Sequence, residues 1–445
     1  MNYTIEDIVK NDLCVGCGIC VSESTSSKMI WNEYGFLVPQ LDHSFNETAI
    51  KVCPFNPSPD EEVRDEDQLA TLFFTEARNK DERIGKFENT YVGYSNAYRE
   101  TSSSGGIATY IFEQLLRQNI VDHLFIVKEI DGSYAYQWFT EVQQIQQISK
   151  TRYIPVTLEN LFKEIDEKEG KVAVSGVACF IKAIRLKQHY KPAYKEKIPF
   201  LIGIICGGLK SKFFTDYLAK KSGIEGEYSK QEYRIKDPAA TAIEYSFGAF
   251  DKNTEFHQMK MKTVGDMWGT GLFKANACDF CDDVTTELAD ISLGDAWLQP
   301  YSKDGAGTSV IVTRTQLADQ LIKTGINKQE IFGSELKLDS FKASQAGSFK
   351  HRQLGEAFRL RKLKKSKSIL PYKRKRLLER IPIEFQIVQN ERMKIRIASL
   401  SIWKNAKSAA QFEKEILLYK KSLSLKTKTY HRIQSLRQKL GLKKL

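Results

Sequence analysis

Three cysteines at intervals of three, Cys14, Cys17 and Cys20, and then Cys53 with Pro54 behind it, supply four thiolates in the pattern that holds one cubane iron-sulfur cluster. A C-x2-C-x2-C run lets one short loop wrap three corners of the cluster, and a distant Cys-Pro supplies the fourth. Gly16 and Gly18 suit such a loop, which needs backbone at positive φ and amides that approach the sulfurs. Zinc binding and a redox disulfide are the competing uses, but zinc sites usually pair two CxxC knuckles within a short span. The spacing therefore points to a 4Fe-4S cluster and to electron transfer.

The other four cysteines are less explicit. Cys278 and Cys281 form a CxxC pair, while Cys179 and Cys206 follow expected strands in the glycine-containing segments Ser175-Gly176-Val177-Ala178-Cys179 and Cys206-Gly207-Gly208. By spacing alone a cluster, a zinc site and unliganded core thiols all stay open. Ser102 to Gly106 lies ahead of an expected helix, where unpaired amides and two glycines can receive a pyrophosphate; an ordinary capped helix start is the alternative. Lys150, Arg152 and Tyr153 could add charge and a stacking face for FAD or an anionic substrate. No GxGxxG follows a strand, so a Rossmann-type fold is not indicated, and Gly203 to Ser211 lacks the ending of a phosphate loop. No Ser-His-Asp or paired-carboxylate set stands out. Asp290 and Asp295 read as structural, with Asp295 nearer a flavin edge, and the scattered histidines read as surface or core residues.

The elements that must position these residues follow from periodicity. An alternating run at Tyr91 to Ser95 opens a domain, a helix is expected over Ile107 to Leu116, and Leu124 to Val127, Val172 to Ser175 and Phe200 to Ile205 read as short buried strands. Helices over Leu158 to Glu167 and Phe180 to His189 alternate with them, which argues for partly parallel strands. Beyond about Thr315 the pattern turns helical, broken at Pro371 and Pro382, and Met393, Ile397, Leu400 and Trp403 form one apolar stripe expected to pack on its own domain. The expected fold is α+β. Its parts are a small ferredoxin-like 4Fe-4S domain at 1–57, a polar linker at 58–89, a mixed α/β domain in two halves at 90–200 and 201–345, and a basic helical tail at 346–445.

Charge separates along the chain. The net charge is +12, but from His351 to Leu445 there are 27 Lys and Arg against 6 Asp and Glu, so the tail carries +21 and the rest −9. Such a tail suits an acidic protein, as a ferredoxin would be, or an anionic membrane surface, with a solvated appendage as the bland alternative. It lacks the interleaved aromatics and finger spacing of a nucleic-acid binder. No run approaches the roughly 18 apolar residues of a membrane span. The acidic start with Glu6, Asp7 and Asp12 does not resemble a secretory leader, and the cysteines read as reduced thiolates, so a cytoplasmic location is expected.

Taken in order, several segments resemble the family of coenzyme F420 hydrogenase/dehydrogenase beta subunits over about 90 to 315. They are Ser102-Ser103-Ser104-Gly105-Gly106-Ile107, Arg152-Tyr153, the strand ending at Cys179, Ile205-Cys206-Gly207-Gly208, Cys278-Asp279-Phe280-Cys281, Ala289 to Asp295, Thr308-Ser309 and Arg314-Thr315. The resemblance implies a second 4Fe-4S cluster on Cys179, Cys206, Cys278 and Cys281. It also implies FAD in the same domain, with Ser103, Ser104, Gly105, Gly106, Lys150, Arg152 and Tyr153 as its binding residues. Deazaflavin-using members typically have Gln-Asp-Gly-Gly where this chain has Ser103-Ser104-Gly105-Gly106, and Gly-Thr-Pro-Cys where it has Gly176-Val177-Ala178-Cys179. The first departure is similar to relatives among bacterial polysaccharide-biosynthesis proteins. The implied function is an oxidoreductase that relays electrons between a ferredoxin or other redox protein and a small-molecule substrate through two clusters and FAD. A non-catalytic electron-transfer protein within a larger complex and a deazaflavin oxidoreductase are the alternatives.

Overall fold

Apolar runs rich in Val, Ile and Phe build the central sheet of the computed structural model, which describes residues 3–24, 26–42, 47–130, 132–148, 150–366 and 368–441. Eight strands lie in the order Ile331–Glu335, Asn89–Ser95, Ser309–Thr313, Ile291–Asp295, Phe200–Ile204, Val172–Val177, His123–Ile130 and Ser133–Phe139. The four from Ile291–Asp295 to His123–Ile130 run parallel, and antiparallel strands extend the sheet on both sides. Helices Ile107–Arg117 and Ala178–Tyr190 bury apolar residues against this sheet, which is why its inner strands read as nearly continuous apolar runs. The molecule is a mixed α/β assembly of the α+β kind.

Register matters for the chemistry. Val177 pairs with Ile204, so Cys179 and Cys206, each two residues farther on, leave the sheet side by side at the carboxyl ends of adjacent parallel strands. That end of a parallel sheet is where α/β proteins place ligands. Cys179 sits in the first turn of helix Ala178–Tyr190, where free amides and the helix dipole favour a thiolate.

The cysteine module near the start begins with helix Ile5–Lys10, closed by a capping box between Thr4 and Asp7. A hairpin of Lys28–Trp31 with Leu37–Gln40 follows the Cys14–Cys20 loop. The module is packed onto the body rather than tethered to it. Leu158 N donates to Cys17 O at 2.9 Å, Met29 N to Glu159 Oε2 at 2.7 Å and Lys163 Nζ to Ser27 O at 2.9 Å. Gly18 has φ +79, and a Cβ there would lie 2.0 Å from Thr157 Oγ1, so this glycine is required by the close approach as well as by its backbone.

Three sequence expectations change. Segment 58–89 is not a plain linker: it carries helix Glu66–Phe73 and the hairpin Asn79–Asp81 with Gly85–Phe87, and Glu66, Leu69 and Ala70 are buried. The stretch beyond Thr315 is not wholly helical, because Ile331–Glu335 adds an edge strand to Asn89–Ser95. The basic tail is not an appendage. Helices Ile383–Asn405 and Ala409–Lys439 pack Phe385, Val388, Ile395, Trp403, Phe412 and Ile416 into a core shared with helix Lys212–Lys221 and the antiparallel sheet Tyr228–Ile235, Ser246–Asp251 and Phe256–Lys260. The stripe that includes Leu400 and Trp403 packs on the chain itself, although Ile397 is exposed. No described helix is long and apolar enough to cross a membrane.

Candidate cofactor site

Both cysteine quartets converge. Cys14, Cys17 and Cys53 lie close enough to Cys20 to act on its charge, and Cys206, Cys278 and Cys281 do the same at Cys179. All eight are free of disulfides. Among the described residues no three cysteine sulfurs lie within 4.8 Å of one another, whereas thiolates sharing one zinc would sit roughly 3.8 Å apart, given Zn–S bonds of about 2.3 Å. Four thiolates around a cubane stand farther apart, so the donor spacing fits a cluster better than zinc.

The surroundings of the sulfurs are those of anions. Gly16 N donates to Cys14 Sγ at 3.4 Å, Gly208 N to Cys206 Sγ at 3.2 Å and Leu209 N to Cys278 Sγ at 3.2 Å. Arg352 Nη2 donates to Cys281 Sγ at 2.7 Å. Burial pushes the thiols up, Cys17 and Cys281 to about 11 and Cys14 to about 12, so without a metal they are protonated. A cluster that replaces those protons would use both the sulfurs and the donors around them.

The second quartet lines a cavity of about 320 Å³. Val15, from the first cysteine loop, and Phe55, just after Cys53, line it as well, and Cys179 senses the charge of Cys17. The two quartets are therefore neighbours across a thin apolar layer formed by Leu13, Phe55, Ala277 and Phe280. Asp279, inside the CxxC loop, ties that loop to the tail: its carboxylate pairs with Lys274 and with Arg396 at 2.9 Å, and its carbonyl accepts from Arg359 Nε. Although burial opposes ionisation, Lys274, Arg396 and Arg359 hold the Asp279 carboxyl well below the usual range.

A larger cavity, about 1010 Å³, opens beside both cysteine loops. Cys14 to Gly16 border it on one side and Cys206 to Leu209 on another. Of the expected flavin residues, Ser103, Ser104, Gly106, Lys150, Arg152 and Tyr153 line it, and Gly105 does not. Gly105 is pressed against the sheet, where a Cβ would lie 2.8 Å from Gly93 O and from Ser309 N. Thr151 N donates to Ser103 Oγ at 2.9 Å, which joins the start of helix Ile107–Arg117 to the Lys150–Tyr153 segment. Lys150 is paired with Glu232 at 3.1 Å, and the Arg152 guanidinium stacks 4.4 Å from the Tyr134 ring. Ser102 Oγ, Arg152 Nε and Arg234 Nε are buried at this cavity without a protein partner. Such orphaned polar atoms fit a bound group rich in oxygens.

Several residues in these walls carry no signal in the sequence. Arg234, paired with Asp295, sits with its guanidinium 5.0 Å from the Tyr245 ring and 5.6 Å from that of Trp297. Asp295 thus lines the large cavity, whereas Asp290 is bound to Arg185 at 3.0 Å and to Leu201 N at 2.8 Å, a purely structural setting. Arg352 is one of 27 basic residues in the last part of the chain, and nothing in its spacing separates it from the others.

Comparison with known proteins agrees with this arrangement. Residues 90–163 match the amino-terminal part, and residues 169–337 the carboxyl-terminal part, of the family described as coenzyme F420 hydrogenase/dehydrogenase, beta subunit. A coenzyme F420-dependent sulfite reductase of Methanocaldococcus jannaschii is 23% identical over 363 residues, 76% of this chain and 51% of that protein, so the chain spans about half of that relative. One of the subunits of the F(420)H(2) dehydrogenase of Methanosarcina mazei is 23% identical over 68% of this chain and 82% of its own length. A chain of the F420-reducing NiFe hydrogenase complex from Methanosarcina barkeri superposes with a TM-score of 0.50 at 20% identity, covering 66% of this chain and 99% of that one, which shows a shared fold. The two matched segments together take in more than half of the sequence, and the chain belongs to the family of coenzyme F420 hydrogenase/dehydrogenase beta subunits.

Proposed function

We propose that this protein is an iron-sulfur flavoprotein oxidoreductase, or the redox component of one, that moves electrons between a partner redox protein and a small molecule. The observation that carries the reading is one large cavity bordered by Cys14 to Gly16, by Cys206 to Leu209 and by the Ser102 to Gly106 helix start. Two 4Fe-4S clusters would be held by Cys14, Cys17, Cys20 and Cys53 and by Cys179, Cys206, Cys278 and Cys281. FAD would lie against Ser103, Ser104, Gly106, Lys150, Arg152 and Tyr153. Clusters supply one-electron transfer, and a flavin converts between one-electron and two-electron chemistry. The chain's own residues provide the rest. Main-chain amides and Arg352 stabilise thiolates, the apolar layer excludes water between the quartets, and Arg152 and the helix start present positive charge to a pyrophosphate. Two of the relatives named above act with coenzyme F420, so a deazaflavin is the first small molecule to test. Ser103-Ser104 in place of Gln-Asp makes sugar-linked oxidants of polysaccharide biosynthesis the next.

Anaerobic purification followed by iron, sulfide, zinc and flavin analysis tests the reading. About eight irons, eight sulfides and one FAD per chain are expected, and stoichiometric zinc without iron would overturn it. Reoxidation of the reduced protein by a deazaflavin, a nicotinamide or a sugar-derived oxidant then separates an enzyme from a relay, which would respond only to a protein partner.

A further inference from the structure

Arg352 makes an unusual set of contacts. It is 9% exposed and sits in a π-helical turn, Lys350–Leu354, a geometry that recurs at functional sites. Its Nη2 donates to Cys281 Sγ at 2.7 Å, its Nη1 to Cys206 O at 2.6 Å and its Nε to Cys281 O at 3.1 Å, and Nη2 also reaches Asp283 O. These hydrogen bonds run to a thiol sulfur and main-chain oxygens, so the cation is spent on the cysteine loops rather than on a carboxylate. Arg359 holds the turn in place, donating to Arg352 O at 3.0 Å and to His351 O at 2.7 Å, and it is itself fixed by Gln389 Oε1 at 2.7 Å. At the first quartet the corresponding sulfur contact is the main-chain amide of Gly16 at 3.4 Å.

Resting on the proposed cluster at Cys179, Cys206, Cys278 and Cys281, we infer that Arg352 is a positioning residue that sets the reduction potential of that cluster, raising it selectively over the cluster at Cys14 to Cys53. A cation hydrogen-bonded to a ligand sulfur favours the reduced state, which carries one more negative charge, and hydrogen bonds to sulfur are among the protein's main levers on cluster potential. One electron enters and no bond is made or broken. Arg352 lies outside both segments matched to the family, so the device belongs to this chain's own extension.

The test is an EPR-monitored redox titration of the full-length, cluster-loaded protein beside Arg352→Lys and Arg352→Gln. The signal lost in Cys281→Ser identifies the second cluster. Arg352→Gln is expected to shift that midpoint to more negative potential, Arg352→Lys to shift it less, and neither to move the other midpoint. Two signals with unmoved midpoints, or with equal shifts in both, overturn the inference while leaving the functional reading intact. A wild-type protein with one signal and about four irons overturns the functional reading, and the inference with it. Should the variants lose iron, wild-type protein carrying 15N-labelled guanidinium groups decides the matter. A 15N hyperfine coupling at the reduced second cluster supports the inference, and its absence overturns it.

Discussion

The eight thiols are buried, unlinked and pushed above their ordinary range, so each quartet is a set of neutral groups until a metal takes the place of the protons. Removing one ligand should then empty one site and spare the other. Cys53→Ser and Cys281→Ser are each expected to lower iron from about eight to about four per chain, and a single substitution that abolishes all iron would mean the two sites do not form independently. A second residue-scale effect concerns Glu356, which is fully buried with neither carboxylate oxygen partnered. Burial first, and the charge of Asp282 second, push it up to about 8, despite Lys373, Arg359 and Arg374 nearby. In the unfolded chain it titrates near 4.3. Between those values the folded state keeps a proton that the unfolded state releases, so stability present below about pH 4.3 is progressively lost as pH rises to about 8. Glu356→Gln carries no titrating proton and is expected to unfold about 1 kcal/mol harder than wild type near pH 8 and to flatten the dependence; parallel thermal midpoints from pH 5 to 8 in both proteins would refute this.

At the scale of elements, helix Ile107–Arg117 is aimed by its first residues. Gly106 has φ +78, and a Cβ there would lie 2.6 Å from the Tyr98 main-chain carbon, so Gly106→Ala forces the helix start away from the cavity wall. A cost of about 1–3 kcal/mol is expected, together with loss of FAD but not of iron; equal flavin content in variant and wild type would show that this helix start does not hold the flavin. The pattern that made this helix legible is its one-sided apolar periodicity, and Val172–Val177 and Phe200–Ile204 were legible because strands covered on both faces read as unbroken apolar runs. Ser133–Phe139 was not, since it alternates exposed and buried residues at a sheet edge and presents aromatics instead of branched aliphatics. Ile331–Glu335 follows a helix and exposes Phe332, and its partner Asn89–Ser95 lies near the other end of the domain, so no local signal marks it. The cysteine ligands were visible from spacing, whereas Arg234, Arg352 and Arg359 were not. A charge in a basic run is ordinarily solvated, and only the fold reveals which ones are drawn inward.

For the whole molecule, the segregation of +21 in the last part of the chain from −9 in the rest has an internal answer. Arg374 binds Asp282 at 3.0 Å and Glu287 at 2.7 Å, Arg376 binds Asp67 at 2.7 Å, and Arg396 binds Asp279. The acidic partner of the tail is thus, in large part, the body that precedes it. Breaking a buried pair by removing one member costs about 3–5 kcal/mol, and a typical domain has only about 5–15 kcal/mol of stability to lose. A chain ended at Lys350 loses these three arginines and Arg352 besides. It is expected to be insoluble, or to hold no more than about four irons, the share of the first quartet. Arg374→Met, a subtler change, leaves Asp282 and Glu287 buried without their cation and should lower the soluble yield or the thermal midpoint sharply. Cutting at Ser408 removes only helix Ala409–Lys439 and touches neither cysteine loop, but it uncovers Phe273 and Trp403, which stack against Phe412. That shorter truncation should keep both clusters and lose thermal stability. Iron content measured across the three variants separates a tail that is part of the core from one that merely docks to something else, because a docking tail could be removed at Lys350 with the iron unchanged.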